Sequence, residues 1–309
     1  KSPYQFSLKG EIPNSEASAA FQVSGAFDNF SEEKGFTGIS IDGKIRLNPL
    51  NISKFQPYFK NILAKTPGWL SIDSSFSGNL GGALKTEGIL KYSSDAQEKR
   101  AVIRDARVPH KGGLEYKVSM DKDSINIKEL KVVSGPFKFK ASGSLKEMFS
   151  KDPFVHIDMK TDAFQLNKSI DYLPLKIFSE EYHDVIHKTF KNGSVKINSL
   201  KFDGTVNQLR EIAKPENQRK IKGEMEMRKV DWQSPLPPLK KVTGTFKVDK
   251  GNSSFIIHKA RYEKQPLTNL QGTIENFTTR PVADLSLENK VDMAQFHSTL
   301  KKAFKGHTI

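Results

Sequence analysis

The feature that most constrains this chain is an alternation of apolar and polar residues that recurs along most of its length. LEYKVSM at 114–120 and VHIDMK at 155–160 place an apolar side chain at every second position. This period puts the apolar side chains of a β-strand on one face and the polar ones on the other. We predict that the following residues line one shared apolar face: Ile39, Ile41, Leu114, Tyr116, Val118, Met120, Ile125, Ile127, Phe137, Phe139, Val155, Ile157, Met159, Val195, Ile197, Met225, Met227, Phe246, Val248, Phe255, Ile257, Leu285 and Leu287.

Short polar turns separate the alternating segments. DKD at 121–123 and DKGN at 249–252 are typical of tight turns between antiparallel strands. Hydrophobic residues make up 36% of the chain and charged residues 27%, so strands buried on both faces cannot dominate. The fold class predicted is mainly β: an elongated, curled antiparallel sheet with a few short amphipathic helices.

Three segments have helical rather than alternating spacing, at 52–63, 178–190 and 293–304. In the first, apolar residues lie three or four positions apart, Ser53 is a suitable N-cap, and Pro67-Gly68 ends the pattern. In the second, Asn192-Gly193 ends the pattern. We predict one short helix in each segment.

The chain also repeats itself at long intervals. GAFDNF at 25, GSLKEMF at 143 and GTIENF at 272 are each followed by an alternating strand and then by one of the helix candidates. The intervals suit a duplicated module of several strands and one helix. We predict one continuous repeating unit over residues 1–309, with modules at about 1–95, 96–212 and 213–309.

This succession of a Gly-containing strand, an alternating strand and a short helix with YLP or QPY resembles the AsmA/TamB superfamily, and within it the YhdP-like branch. The resemblance covers nearly the whole chain and rests on repetition rather than on any one motif. It is strongest over residues 235–277, from PLPPLKKVTGTFKVDKGNSSF to NLQGTIENF. It implies a periplasmic β-rich body, anchored in the bacterial inner membrane by a part absent from this fragment. It also implies phospholipid movement to the outer membrane, and it leaves room for periplasmic or outer-membrane partner proteins.

A one-sided sheet of this length must cover its apolar face, and the few helices cannot do so. Roughly 16 strands spaced about 4.8 Å apart would extend on the order of 75 Å. Exposing a 16-carbon tail to water costs on the order of 12 kcal/mol, so a continuous apolar lining would let such a tail move at little cost. We therefore predict a hydrophobic groove that holds lipid tails, with headgroups at an open, basic rim. Together with the resemblance, this predicts a groove that conducts phospholipids between the inner and outer membranes. The alternative is a non-enzymatic periplasmic scaffold whose sheet closes into a packed sandwich.

Charge and composition narrow the range of partners. The net charge of +14 favours an anionic partner, but it is the only feature that favours nucleic acid, which we do not expect as a partner. The densest basic cluster, at 99–111, is more typical of a solvated sheet edge than of a specific anion site.

The absence of cysteine excludes disulfides and fits an oxidising compartment. No apolar run approaches the roughly 20 residues that span a bilayer. The chain starts at Lys1 without Met, so we expect an excised fragment without its signal peptide or anchor.

The segment EEYHDVIHK comes close to the H-E-x-x-H pattern of zinc proteases. His183 and His187 are four residues apart, but Asp184 stands where the general-base Glu would be, and no third ligand follows nearby. We interpret both histidines as residues on the solvent side of a helix, and expect neither a metal nor a cofactor.

No G-x-S-x-G, P-loop or G-x-G-x-x-G motif occurs, so we do not expect the protein to be an enzyme. Trp69 and Trp232 are interpreted as core or rim anchors.

Overall fold

The structure is a computed structural model, and it describes residues 3–12, 19–28, 36–51, 68–93, 102–103, 106–107, 111–169, 190–212, 214–233, 238–262, 265–275 and 282–287. The predicted helices at 52–63 and 293–304 lie outside the described residues, as does the one at 178–190 except for Phe190, which begins a strand. Strand accounts for 77% of the described chain, which confirms the mainly β class.

Seventeen strands form one large antiparallel sheet that is not closed. In chain order they are β1 (Tyr4–Ile12), β2 (Ala19–Asp28), β3 (Ser40–Asn51), β4 (Trp69–Asn79), β5 (Leu84–Ser93), β8 (Lys111–Met120), β9 (Ser124–Ser134), β10 (Phe137–Lys146), β11 (Phe154–Thr161), β12 (Phe164–Gln165), β13 (Phe190–Lys191), β14 (Ser194–Thr205), β15 (Ile221–Trp232), β16 (Leu239–Asp249), β17 (Asn252–Tyr262), β18 (Gln265–Glu275) and β19 (Val282–Leu287). Two further strands, β6 (Val102–Ile103) and β7 (Ala106–Arg107), pair only with each other.

The sheet is a meander in which the strands pair in chain order, except that β5 pairs with β8 and β11 with β14. Two short strands each share a position in the sheet with a longer strand. Strand β12 pairs with β14, as β11 does, and β13 pairs with β15, as β14 does. The seventeen strands therefore occupy fifteen positions. Within the described residues, β1 pairs only with β2 and β19 only with β18, so these two strands are its edges. We call the end of the sheet where β3 finishes at Asn51 the lower end; β5, β9 and β11 also finish there.

Helices are few and short in the part of the chain that the structure describes. They are α1 (Leu166–Ser169), α2 (Val206–Arg210) and α3 (Pro215–Gln218), with a 3-10 turn at Phe36–Gly38. A capping box starts α2: the Thr205 side chain accepts from the backbone N–H of Gln208, and the Gln208 side chain accepts from that of Thr205. Among the described residues, no helix is long and apolar enough to cross a membrane.

The internal repeat coincides with a regular spacing in the sheet. The first residues of GAFDNF, GSLKEMF and GTIENF end β2, β10 and β18, and the alternating segments that follow form β3, β11 and β19. These hairpins begin at the second, eighth and fourteenth positions, so the repeats are six positions apart and have the same strand direction. The module boundaries themselves stay a prediction.

Bulges bend the C-terminal part of the sheet. The register shifts between β15 and β16 and again between β16 and β17. Lys229, Lys241 and Asn269 have positive φ values of 55°, 54° and 52°, in the left-handed region that is uncommon for side chains other than Gly. An extra residue in a strand increases its local twist and curvature, so these bulges curl the sheet.

The densest packing lies close to these bulges. Ten buried side chains form a core, consisting of Phe137, Phe164, Leu166, Val195, Met227, Val230, Val242, Phe255, Ile257 and Ala260. Trp232 packs against it, with its ring centroid 6.4 Å from that of Phe255 in an edge-to-face arrangement. Met227 belongs to this core and is 1% exposed, whereas Met120, near the end of β8, is 39% exposed.

We expect Met227→Ala to lower the free energy of unfolding by about 2–5 kcal/mol, because it removes buried atoms and leaves a cavity. The matched control is Met120→Ala, an identical change at an exposed position, which should cost less than about 1 kcal/mol. Urea unfolding followed by circular dichroism measures both values. Equal losses in the two variants would contradict the position of the core.

Candidate functional site: one apolar face of the sheet

The register of the strands determines which side chains share a face, because residues directly opposite each other in a ladder point the same way. One row runs across eleven positions, from Phe6 to Ile221, through Gly25, Gly43, Phe76, Thr86, Val118, Ile127, Gly143, Ile157 and Phe202. A second row continues across the remaining strands from Ile197 through Met225, Phe246, Phe255, Gly272 and Leu285. Both rows lie on the same face, which we call the apolar face.

The structure places almost every predicted lining residue on this apolar face. All the residues named above for that role are brought together there by their register, except Ile39, which precedes β3 and is buried. Whether they contact lipid stays a prediction.

Their burial divides the face into two parts. Protein covers Phe137, Val195, Met227, Phe255 and Ile257, which belong to the core, so these five do not reach solvent. Met120 and Leu285 are exposed, and the remaining lining residues in strands are half-buried. A lipid tail could therefore contact the half-buried and exposed positions without any rearrangement of the core.

The N-terminal part of the apolar face is the more accessible one. Among the side chains of β1–β5, β8 and β9 whose burial is described, Leu50 is the only buried apolar one, whereas Tyr4 and Leu8 at the β1 edge are 60% and 58% exposed. The ring of Tyr4 stacks on that of Phe27, its partner in register, with 5.2 Å between the centroids. Packing by the chain's own side chains is therefore densest from β10 onward.

Glycines on the apolar face are covered by aromatic rings from the neighbouring strand. A Cβ atom at Gly10 would lie 2.6 Å from the Phe21 ring, and one at Gly43 would lie 2.5 Å from the Phe76 ring; both are direct register pairs. Gly272 is opposite Phe255 in the same way. Such pairs compensate for the weak strand propensity of glycine, and they let the rings lie low over the sheet.

These glycines are not among the residues predicted above to line the apolar face, although a sequence feature marks them. They replace an apolar residue in the alternation, as Gly43 does between Ile41 and Ile45. Gly88 shows what the missing side chain allows: Tyr116, its register partner, extends past it to place its hydroxyl 2.7 Å from Oγ of Ser74 on the next strand. This hydrogen bond satisfies a buried hydroxyl within an otherwise apolar face.

The opposite face, which we call the polar face, is crossed by ion pairs in direct register. They are Arg46–Asp73, Lys117–Glu87, Lys131–Glu115, Lys201–Asp158, Lys222–Asp249 and Lys247–Glu224, together with His156–Asp203 when the histidine is protonated. The hydrogen bonds from Lys247 and Asn198 lower the pKa of Glu224 below its usual value. Exposed pairs contribute little individually, but each favours the register that keeps the other face apolar.

One segment of the sequence comes close to a metal-binding motif, at His183 and His187, which are interpreted above as the solvent side of a helix. His183 and His187 lie outside the described residues. Among the residues that the structure does describe, no group of three or more histidine, aspartate or glutamate side chains could hold a metal ion. Comparison with protein-family models, with curated proteins and with solved structures finds no match.

We expect Gly43→Ala to destabilise the sheet by about 1–3 kcal/mol, because the new methyl group would lie 2.7 Å from the backbone oxygen of Ser24 as well as against Phe76. Gly113→Ala is the control, since a Cβ there would meet only the backbone oxygen of Leu90 at 3.6 Å. Thermal unfolding compares the two variants. A Gly43→Ala variant as stable as Gly113→Ala would show that no ring occupies this position.

Proposed function

We propose that the apolar face conducts phospholipid acyl chains, within the periplasmic body of a protein of the AsmA/TamB kind that moves phospholipids between the inner and outer membranes. The observation that carries the proposal is the continuity of this face, which extends over all fifteen positions of a sheet that does not close on itself. At about 4.8 Å per position the sheet extends on the order of 70 Å. That is several times the roughly 15 Å that one bilayer leaflet provides for a tail.

Accessible apolar side chains support contact with hydrocarbon. Leu8, Ile45, Met120 and Leu285 are each more than a third exposed on the apolar face, at sites spread from the first position to the last. Contiguous exposed apolar surface is unfavourable in water and marks a binding surface for an apolar partner. Because no polar headgroup pocket is needed on this face, lipids would slide with the tail on the sheet and the headgroup in water.

The accessible half of the face suits this role better than the packed half does. From β10 onward the core fills the lower end of the sheet. For that part of the sheet this packing favours the second candidate function, a scaffold with a dry interior. The two functions differ in one measurable property. A conducting face carries phospholipid, whereas a scaffold packed by its own side chains does not.

The test is to purify the chain without detergent, extract it with chloroform and methanol, and quantify phospholipid by mass spectrometry. We expect at least one phospholipid per chain. The Val118→Glu variant should retain several-fold less, because a carboxylate on this face would have to be desolvated beside the tail. Ile45→Glu, at a more exposed position of the same face, should act in the same way.

The matched control is Ser119→Glu, which adds the same carboxylate one residue further along β8. Ser119 lies on the polar face, opposite Lys85 and Asn126, so this variant should retain wild-type amounts of lipid. Circular dichroism shows whether each variant is folded. Lipid retention by Val118→Glu and Ile45→Glu at the level of Ser119→Glu would refute conduction along the apolar face, and a lipid-free wild-type chain would favour the scaffold.

A further inference from the structure

The polar face carries a concave, strongly basic patch at its lower end, on strands β5, β8, β9, β10, β11 and β14. The concavity has a volume of about 380 Å³. Five of the lysines that line it are Lys91, Lys138, Lys140, Lys160 and Lys196, and we call these five the lysine patch. Lys131 and the two carboxylates Glu115 and Asp162 also line the concavity, so positive charge predominates.

The register brings three lysines side by side at this point of the polar face. Lys131, Lys140 and Lys160 lie directly opposite one another on β9, β10 and β11, whereas in the ion pairs described above a basic side chain lies opposite a carboxylate. Like charges in this arrangement destabilise a sheet. Lys131 is paired with Glu115 and Glu129, but the lysine patch forms no ion pair within the part of the chain that the structure describes. An anion from outside the chain would remove this repulsion.

Exposed aliphatic side chains lie among the lysines. Ile89 and Val133 lie on the polar face and are 42% and 41% exposed. In one row of the register, Lys91 and Lys138 flank Gly113 and Val133. Because Gly113 has no side chain, the floor of the concavity is low at this point. The patch thus combines positive charge with exposed aliphatic side chains.

We propose that the lysine patch docks the chain on the anionic headgroups of a phospholipid bilayer, with Ile89 and Val133 entering the interfacial layer. Clustered lysines near an anionic membrane surface are each attracted to it, and aliphatic side chains strengthen such binding by burial.

The lining of the concavity does not favour nucleic acid as the partner. It includes no arginine, and its one aromatic residue, Phe139, belongs by register to the apolar face. Arginine and stacking rings are the usual means of nucleic-acid recognition. The proposal goes beyond lipid conduction, since it assigns a role to the opposite face of the sheet.

The experiment measures sedimentation of the 309-residue chain with phosphatidylcholine vesicles that contain or lack phosphatidylglycerol. We expect binding only to the anionic vesicles, and weaker binding as NaCl is raised. The Lys140→Gln/Lys160→Gln variant should bind about 30-fold more weakly. Ile89→Ser/Val133→Ser should also bind more weakly, without a change in net charge.

The control is Lys9→Gln/Lys44→Gln, which removes the same charge from the polar faces of β1 and β3. Lys9 lies opposite Gln22, and Lys44 lies opposite Ser24 and Ser75, so neither change breaks an ion pair of the register. Binding by this control should fall less than 3-fold. Equal losses in the patch and control variants would overturn the proposal in favour of a general charge effect.

Two competitors at constant ionic strength separate a bilayer from other anions. Millimolar inorganic phosphate and a single-stranded oligonucleotide at micromolar concentration should each leave the vesicle-bound fraction unchanged. Displacement of the chain from vesicles by phosphate would assign the patch to free anions, and displacement by the oligonucleotide would assign it to nucleic acid. Either result would overturn the docking role.

Discussion

Cross-strand register is the constraint on which the rest of this structure depends. In a sheet, a slip of one residue transfers every side chain of a strand to the opposite face. Here the register holds through fourteen successive pairings of the sheet, so that one face collects apolar side chains and the other collects charges. Ion pairs on the polar face, such as Glu87 with Lys117, form only in this register. The burial of residues such as Val242 on the other face favours the same register.

Both proposed roles follow from this separation of the two faces. A continuous apolar surface that the chain covers only in part suits hydrocarbon, and its accessible part lies mainly in β1–β9. At one end the polar face presents the lysine patch, whose five lysines form no ion pair with the described residues, and three strands there place lysines side by side. A bilayer supplies both kinds of ligand, since its lipids have apolar tails and phosphate headgroups. Conduction and docking nevertheless use different residues and are separable by mutation.

Much of this architecture could be predicted from the alternation alone. Leu114 and Val118 are on the same face because strand side chains alternate, and this needs no knowledge of their neighbours. Bulges limit such predictions: Val230 joins the face of Met227 only because the strand bulges at Lys229. The T-x-x-Q capping box of α2 is present in the sequence, but it directly follows the alternating pattern of β14, which obscures the start of the helix. The lysine patch needs the relative register of β5 to β14, which no local pattern contains.

The most direct test of the central claim is a scan of single cysteines, each labelled with a polarity-sensitive fluorophore, in this naturally cysteine-free chain. Labels at Leu8, Ile45, Val118 and Leu285 sample the apolar face from edge to edge, and labels at Lys9, Lys44, Ser119 and Asp284 sample the polar face beside them. Emission is compared between delipidated and phospholipid-loaded protein. The account predicts a blue shift on loading at every apolar-face position and none at the polar-face positions. Unchanged emission at the apolar-face positions would contradict it.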